Sequence, residues 1–167
     1  APRVERADGP QQVDRLAVVT RPNPAFGLLE QMRALREAGI DTLVSMLAPD
    51  EAFAMGLADE EAVARAAGMA FDALPTTDFA VPPSIPVAAN VIGRAAADLR
   101  AGRSVGAHCF AGRGRSPLFI AALMVHEGYT ASDAILAVSA ARGRRVPETA
   151  AQHQWVADYA EWCRANS

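Results

Sequence analysis

Residues 108–117 read HCFAGRGRSP, and they stand between a strand-like run, SVGAHC at 104–109, and a helix-like run, SPLFIAALMVHEG at 116–128. A glycine-rich turn that opens a helix is an anion site by construction, because backbone N–H groups converge there and the helix dipole adds to them. A thiol held in that field ionises. The segment therefore predicts a cysteine nucleophile aimed at an anion, at the carboxyl end of a strand, where open α/β sheets bind their ligands.

Outward from this junction the chain alternates strands and helices. RLAVVT at 15–20 predicts a strand, ended by Pro22 and Pro24. Leu28, Leu29, Met32, Leu35 and Ala38 recur at helical spacing, with Gly39 as the stop. DTLVSML at 41–47 predicts a second strand, and Asp59 caps a helix closed by Gly68. MAFDALP at 69–75 predicts a third strand, followed by TTDFAVPPS, a loop fenced by prolines. Ser84 starts a helix with Val87, Val91, Ala95 and Leu99 on one face. After the fourth strand comes the helix at 116–128, with Ser116 as its expected cap and Pro117 at the favoured first position. That helix is apolar all round, which marks it as central. Two more helices, at about 131–142 and 149–165, complete the chain, the last carrying Trp155, Tyr159 and Trp162 on one stripe. The fold class expected is α/β, a mostly parallel sheet of about four to five strands flanked by helices. Residues 1–14 read as an irregular lead-in and 15–167 as a single domain.

Composition narrows the function. With 167 residues the chain is long enough to bury one continuous core. The net charge of −3 opposes a nucleic-acid-coating surface. No apolar run approaches the ~20 residues of a membrane span, and DRLAVVTRP is too short and too charged at its flanks for a secretory segment. The two cysteines, Cys109 and Cys163, form neither a disulfide framework nor a metal-ligand spacing. A reactive free thiol suits a reducing compartment, so a cytoplasmic location is expected.

Cys109 and Arg115 are separated by five residues, and His108, Gly112, Gly114 and Ser116 surround them. This signature resembles that of the cysteine-dependent protein tyrosine phosphatases, nearer the compact dual-specificity branch. The resemblance extends from about Leu16 to Trp162. Low-molecular-weight tyrosine phosphatases carry a similar loop near their N-terminus, and position 109 disfavours them. The residue types suit the chemistry. A phosphomonoester must be attacked in line while its three equatorial oxygens are held. Backbone N–H groups of Phe110, Ala111, Gly112, Arg113, Gly114 and Arg115 are the expected cradle. Arg115 brings a planar fork matching two phosphate oxygens, which a lysine could not do. Cys109 is the expected nucleophile and forms a phosphocysteine. The resemblance implies that Ser116 assists departure of the sulfur and that His108 supports the loop from behind.

Cleavage needs a general acid. The resemblance implies the proline-framed Asp78, whose rival is Asp72 in the third strand. Gln152 resembles the residue that places water in the larger tyrosine phosphatases; a solvated helix position is the other reading, and Gln154 is its neighbour. Arg142, Arg144 and Arg145 either steer anions to the mouth or, for Arg142, pair with the end of its own helix. Arg113 adds one charge to the loop, fewer than lipid-directed relatives carry. Cys163 reads as inert.

The expected activity is hydrolysis of phosphomonoesters, phosphotyrosine and also phosphoserine or phosphothreonine, with no cofactor and no metal. The partners are a phosphorylated protein or other phosphoester, with no nucleic acid and no membrane span. The alternatives are a phosphate-binding module without turnover, a phosphoinositide phosphatase, and a sulfurtransferase or arsenate reductase using the same loop.

Overall fold

The computed structural model describes residues 4–6 and 15–167. Five strands form one sheet: β1 (Val4–Arg6), β2 (Leu16–Val19), β3 (Thr42–Ser45), β4 (Ala70–Ala73) and β5 (Val105–His108), in the order β1-β2-β5-β3-β4. The last four are mutually parallel, and β1 runs antiparallel to β2 at one edge. This is the α/β architecture expected from the alternation of elements. The expectation of an irregular lead-in fails at Val4–Arg6, which pairs in register with Ala17–Val19. A three-residue edge strand is too short for a period-2 pattern to reveal. The rest of the lead-in lies outside the described residues.

The helices are α1 (Leu28–Glu37), α2 (Pro49–Ala54), α3 (Glu60–Ala66), α4 (Ile85–Arg100), α5 (Arg115–His126), α6 (Ala131–Arg142) and α7 (Ala150–Ala165). Side chains alternate across a strand, so each buried strand feeds two cores. Leu16, Val18, Val44, Val105 and Ala107 face α4, α5, α6 and α7, whereas Ala17, Val19 and Leu43 face Met32 and Leu35 of α1 and Ala64 of α3. Every residue of α5 from Arg115 to Val125 is buried, which is the centrality its all-round apolarity predicts. Trp155, Tyr159 and Trp162 stack in series along α7, with ring centroids 5.4 and 6.0 Å apart.

Two local expectations are corrected. The start of α5 is Arg115 with Gly114 as its cap, so Ser116 lies inside the first turn and does not cap it. Its hydroxyl is engaged elsewhere, and Pro117 still occupies a first-turn position whose missing N–H leaves no helical bond unmade. Second, α2 was not legible. It is a six-residue helix begun by Pro49, too short for an apolar period, and none of its residues is buried. Asp59 does stand at the cap of α3, yet its side chain makes no capping bond. Ser84, by contrast, accepts from the Val87 N–H at 3.3 Å.

Candidate active site

The turn at 109–114 leaves the end of β5 and enters α5, at the carboxyl edge of the parallel strands. Gly112 makes the turn possible with φ of +69°, a left-handed conformation that glycine adopts without strain. Arg142 braces the turn from α6: its Nε donates to the Gly112 carbonyl at 2.7 Å and its Nη2 to the Ala111 carbonyl at 3.2 Å. In a trans peptide the carbonyl and the following N–H point oppositely. The amides of Gly112 and Arg113 therefore face away from Arg142, toward the interior of the turn. The first helical bond of α5 runs from the Leu118 N–H to the Gly114 carbonyl, so the Arg115 and Ser116 N–H groups add to the same positive end. The side chain of Arg142 thus holds the loop, a role that neither reading of it named.

Cys109 is buried, and its Sγ lies 3.1 Å from the Ser116 Oγ. Behind it, fully buried His108 presents Nδ1 to the Cys109 carbonyl at 3.5 Å and Nε2 to the carboxylate of Glu60. Glu60 is itself buried at the start of α3.

Arg115 is the largest fully buried side chain, at 1% exposure. A guanidinium so placed needs counter-charge, because burying an unpaired ion costs far more than any packing gain. Glu51 of α2 supplies it in fork-to-fork geometry: Nη1 donates to Oε1 at 2.6 Å and Nη2 to Oε2 at 2.9 Å. Nη1 also donates to the Thr76 carbonyl at 2.8 Å, and Nη2 lies 3.2 Å from Asp78 Oδ1. Burial alone would weaken the charge on Arg115, but the bonds to Glu51 and the charges of Cys109 and Asp78 outweigh it and raise its pKa. Its Nε is buried and has no hydrogen-bond partner. Among the described residues, one donor of the guanidinium is thus left unpaired.

Glu51 titrates below its ordinary 4.5, chiefly through the hydrogen bonds from Arg115 and against the opposing effect of burial. The folded state therefore binds its proton less readily than the unfolded chain. The pair's contribution to stability is complete above about pH 4.5 and is lost as pH falls through the lower folded value. Urea midpoints measured from pH 5 to pH 3 should fall in the parent protein, and fall less steeply in Glu51→Gln.

Asp78 and Asp72 differ sharply in their surroundings. Asp78 sits on the exposed loop with its carboxylate at Arg115, whereas Asp72 on the edge strand β4 is held by Arg94, at 2.7 Å from Nε. Gln152 is fully buried, not solvated. It closes a capping box with Thr149, and its Nε2 donates to the Ala80 carbonyl at 3.1 Å, tying α7 to the Asp78 loop. It also covers the turn: a Cβ at position 114 would stand 2.8 Å from Gln152 Nε2, so any side chain there would have to displace the Gln152 amide. Gln154 points elsewhere, to Asp158. Arg113, Arg144 and Arg145 are exposed. Cys163 is partly buried on α7, and burial pushes its thiol up, against Tyr159 and Arg164, so it stays protonated and unreactive.

Two side chains escaped the sequence reading, Glu51 and Glu60, and so did the bracing role of Arg142. Only one signal pointed their way. An arginine at the buried start of an all-apolar helix demands an acid from some other element. Among the described residues no group of three or more His, Cys, Asp or Glu could hold a metal ion, and no helix is long and apolar enough to cross a membrane.

A cysteine and an arginine bracketing such a turn, on this sheet, define a phosphatase of the dual-specificity and tyrosine type. The chain belongs to the family described as Tc-R-P, polymorphic toxin system, DSP-PTPase phosphatase, whose pattern matches residues 18–129. No curated protein matches it significantly. Among solved structures it resembles kinase associated phosphatase with serine at the catalytic cysteine, at 17% identity over 98% of this chain and 96% of that one, TM-score 0.86. It also resembles PTPMT1, at 19% identity over 98% of both chains, TM-score 0.76, and human DUSP28, at 22% identity over 99% and 100%, TM-score 0.67. At these identities the likeness carries the fold.

Proposed function

We propose that the protein hydrolyses phosphomonoesters, phosphotyrosine foremost and phosphoserine or phosphothreonine besides, through a phosphocysteine intermediate and without a metal or cofactor. The observation that carries this reading is the unpartnered, buried Nε of Arg115 beside Cys109. The two Nη atoms are committed to Glu51, Thr76 and Asp78, so an incoming phosphate meets a guanidinium already fixed in orientation, which limits the entropy lost on binding.

The Cys109 thiolate attacks phosphorus in line. Sulfur–phosphorus bonding forms as the ester oxygen leaves, and Asp78 gives that oxygen its proton. Loop amides and Arg115 hold the equatorial oxygens throughout. Water then attacks the phosphocysteine, passing a proton back to Asp78, and the sulfur departs with the Ser116 hydroxyl hydrogen-bonded to it. Gln152 is the candidate to place that water, since it already overhangs the turn at Gly114. A reducing cytoplasm would keep Cys109 as a thiol.

Three exposed phenylalanines neighbour the site residues along the chain. Phe79 (63% exposed), Phe110 (49%) and Phe53 (77%) each lie within two residues of Asp78, Cys109 or Glu51. Phe79 takes a left-handed φ of 63°, uncommon for a non-glycine residue. Exposed aromatic side chains beside an anion site in the chain support an aryl phosphate over a phosphoserine as substrate. The direct experiment measures phosphate release, with chelator present, from an aryl phosphate, a phosphotyrosine peptide, a phosphoserine peptide and a phosphoinositide. The phosphotyrosine peptide should be turned over fastest of the three natural esters. Turnover of the phosphoinositide alone would replace this substrate assignment, and binding without turnover of any ester would make the domain a phosphate reader.

Asp78→Asn should lower kcat by the ~10²–10⁴ of a general acid while leaving KM nearly unchanged. The loss should shrink for esters with strongly acidic leaving groups, which need no proton to depart. Asp72→Asn should leave kcat unaltered, and the reverse pattern would move the acid to Asp72.

A further inference from the structure

The strand β5 alternates sides, so Val105 and Ala107 join the core under α5 while His108 faces the opposite layer, where α3 begins. There its ring is fully buried between two acceptors. The Cys109 carbonyl oxygen, 3.5 Å from Nδ1, can only accept a hydrogen bond. Nδ1 therefore carries hydrogen. Nε2 meets the carboxylate of Glu60, which is also buried, and one further proton lies in that contact. Placed on either partner, that proton leaves the Glu60–His108 pair neutral as a whole and Nδ1–H turned toward the cysteine peptide. A carboxylate with 3% exposure and, among the described residues, this one side-chain partner is a costly thing to keep in a core.

Resting on the reading of Cys109 as nucleophile, we infer that Glu60 is a positioning residue, which acts through the His108 ring and the Cys109 carbonyl to hold the reactive sulfur as its anion. The physical route is short. An N–H directed at the Cys109 carbonyl polarises the Cys109–Phe110 peptide and strengthens the partial positive charge on the Phe110 N–H. Chains of hydrogen bonds polarise one another in this way in a low-dielectric interior. Without Glu60 the neutral imidazole is free to carry its hydrogen on Nε2, and the Nδ1 lone pair would then oppose the carbonyl. Glutamine at position 60 can donate from its amide to Nε2 and so retain the Nδ1–H form, which alanine cannot do.

The test is the rate at which iodoacetamide alkylates Cys109, followed from pH 5 to pH 9 in the full chain, beside kcat/KM for an aryl phosphate. In Glu60→Ala both rates should fall about 3- to 10-fold at pH 6, the scale of one ordinary intramolecular hydrogen bond, and converge on the parent at high pH where the sulfur is ionised anyway. Glu60→Gln should recover most of the difference. Arg115, Asp78, Glu51, Arg142, Arg113 in the turn itself and Arg21, whose guanidinium lies 4.4 Å from the Phe110 ring centroid, are the other charged groups near the cup, and they are common to all the variants compared. In a His108→Ala background, Glu60→Ala should change nothing further.

Alkylation profiles that coincide for parent and Glu60→Ala would overturn the inference, as would an equal loss at every pH. Nitrogen NMR of His108 in the parent chain tests it with no variant to fold, and an unprotonated Nδ1 would sink it. Turnover that survives Cys109→Ser would instead strike the nucleophile reading, so the two failures are distinct.

Discussion

Cys109→Ser should abolish turnover of an aryl phosphate, lowering kcat/KM by on the order of 10⁴–10⁶, the scale seen when a nucleophile is removed. The argument is one of ionisation. A thiol is intrinsically far more acidic than a serine hydroxyl, and a hydroxyl at position 109 would have no base beside it to take its proton. Its nearest side-chain neighbour is another hydroxyl, Ser116. The substitution leaves the loop amides, the Arg142 brace and the Arg115–Glu51 fork in place. Inorganic phosphate should therefore still bind, at least as tightly as in the parent, because the like charge of the sulfur is gone. Calorimetric titration with phosphate, beside the turnover assay, separates these effects. A variant that keeps activity within tenfold of the parent would remove Cys109 from the chemistry.

Arg115→Lys, conservative in charge, should cost on the order of 10³ in kcat/KM, comparable to the loss of a preorganised oxyanion donor. A lysine has one nitrogen where the guanidinium has three. It can meet Glu51 or a phosphate but cannot span both, and the buried Thr76 carbonyl loses its donor. Stability should fall with activity, by about 2–3 kcal/mol, since a buried acid is left half-paired. Thermal melting of Arg115→Lys and Glu51→Gln side by side checks this. If the fork orients the catalytic guanidinium, Glu51→Gln should also raise KM, whereas a purely structural pair would leave KM untouched in the folded fraction.

Residues that act on their chain neighbours were readable in advance, and residues that act across the fold were not. Cys109, Arg115 and Ser116 fall within eight positions, inside one strand–turn–helix junction, so their mutual placement follows from the local backbone. Asp78, singled out through the resemblance by its proline frame, lies with its carboxylate 3.2 Å from Arg115. Glu51 meets Arg115 from 64 residues away, Glu60 meets His108 from 48, and Arg142 meets Gly112 from 30. No spacing rule reaches that far. Gln152 stood between two readings, a solvated position and a site residue, until α7 was seen to lie against Gly114.

By itself the sequence determined the alternation of elements, the buried central helix and the identity of the turn that holds the thiol. Those follow from apolar period, glycine and proline, which act over a few residues at a time. Only the tertiary structure decided which acids answer the buried arginine and histidine, and which arginine braces the loop. A parallel sheet gathers the carboxyl ends of its strands at one edge, and the loops that follow Ser45, Ala73 and His108 meet there however distant they are along the chain. Burial then selects the partners, because a charge taken out of water must find its opposite within reach.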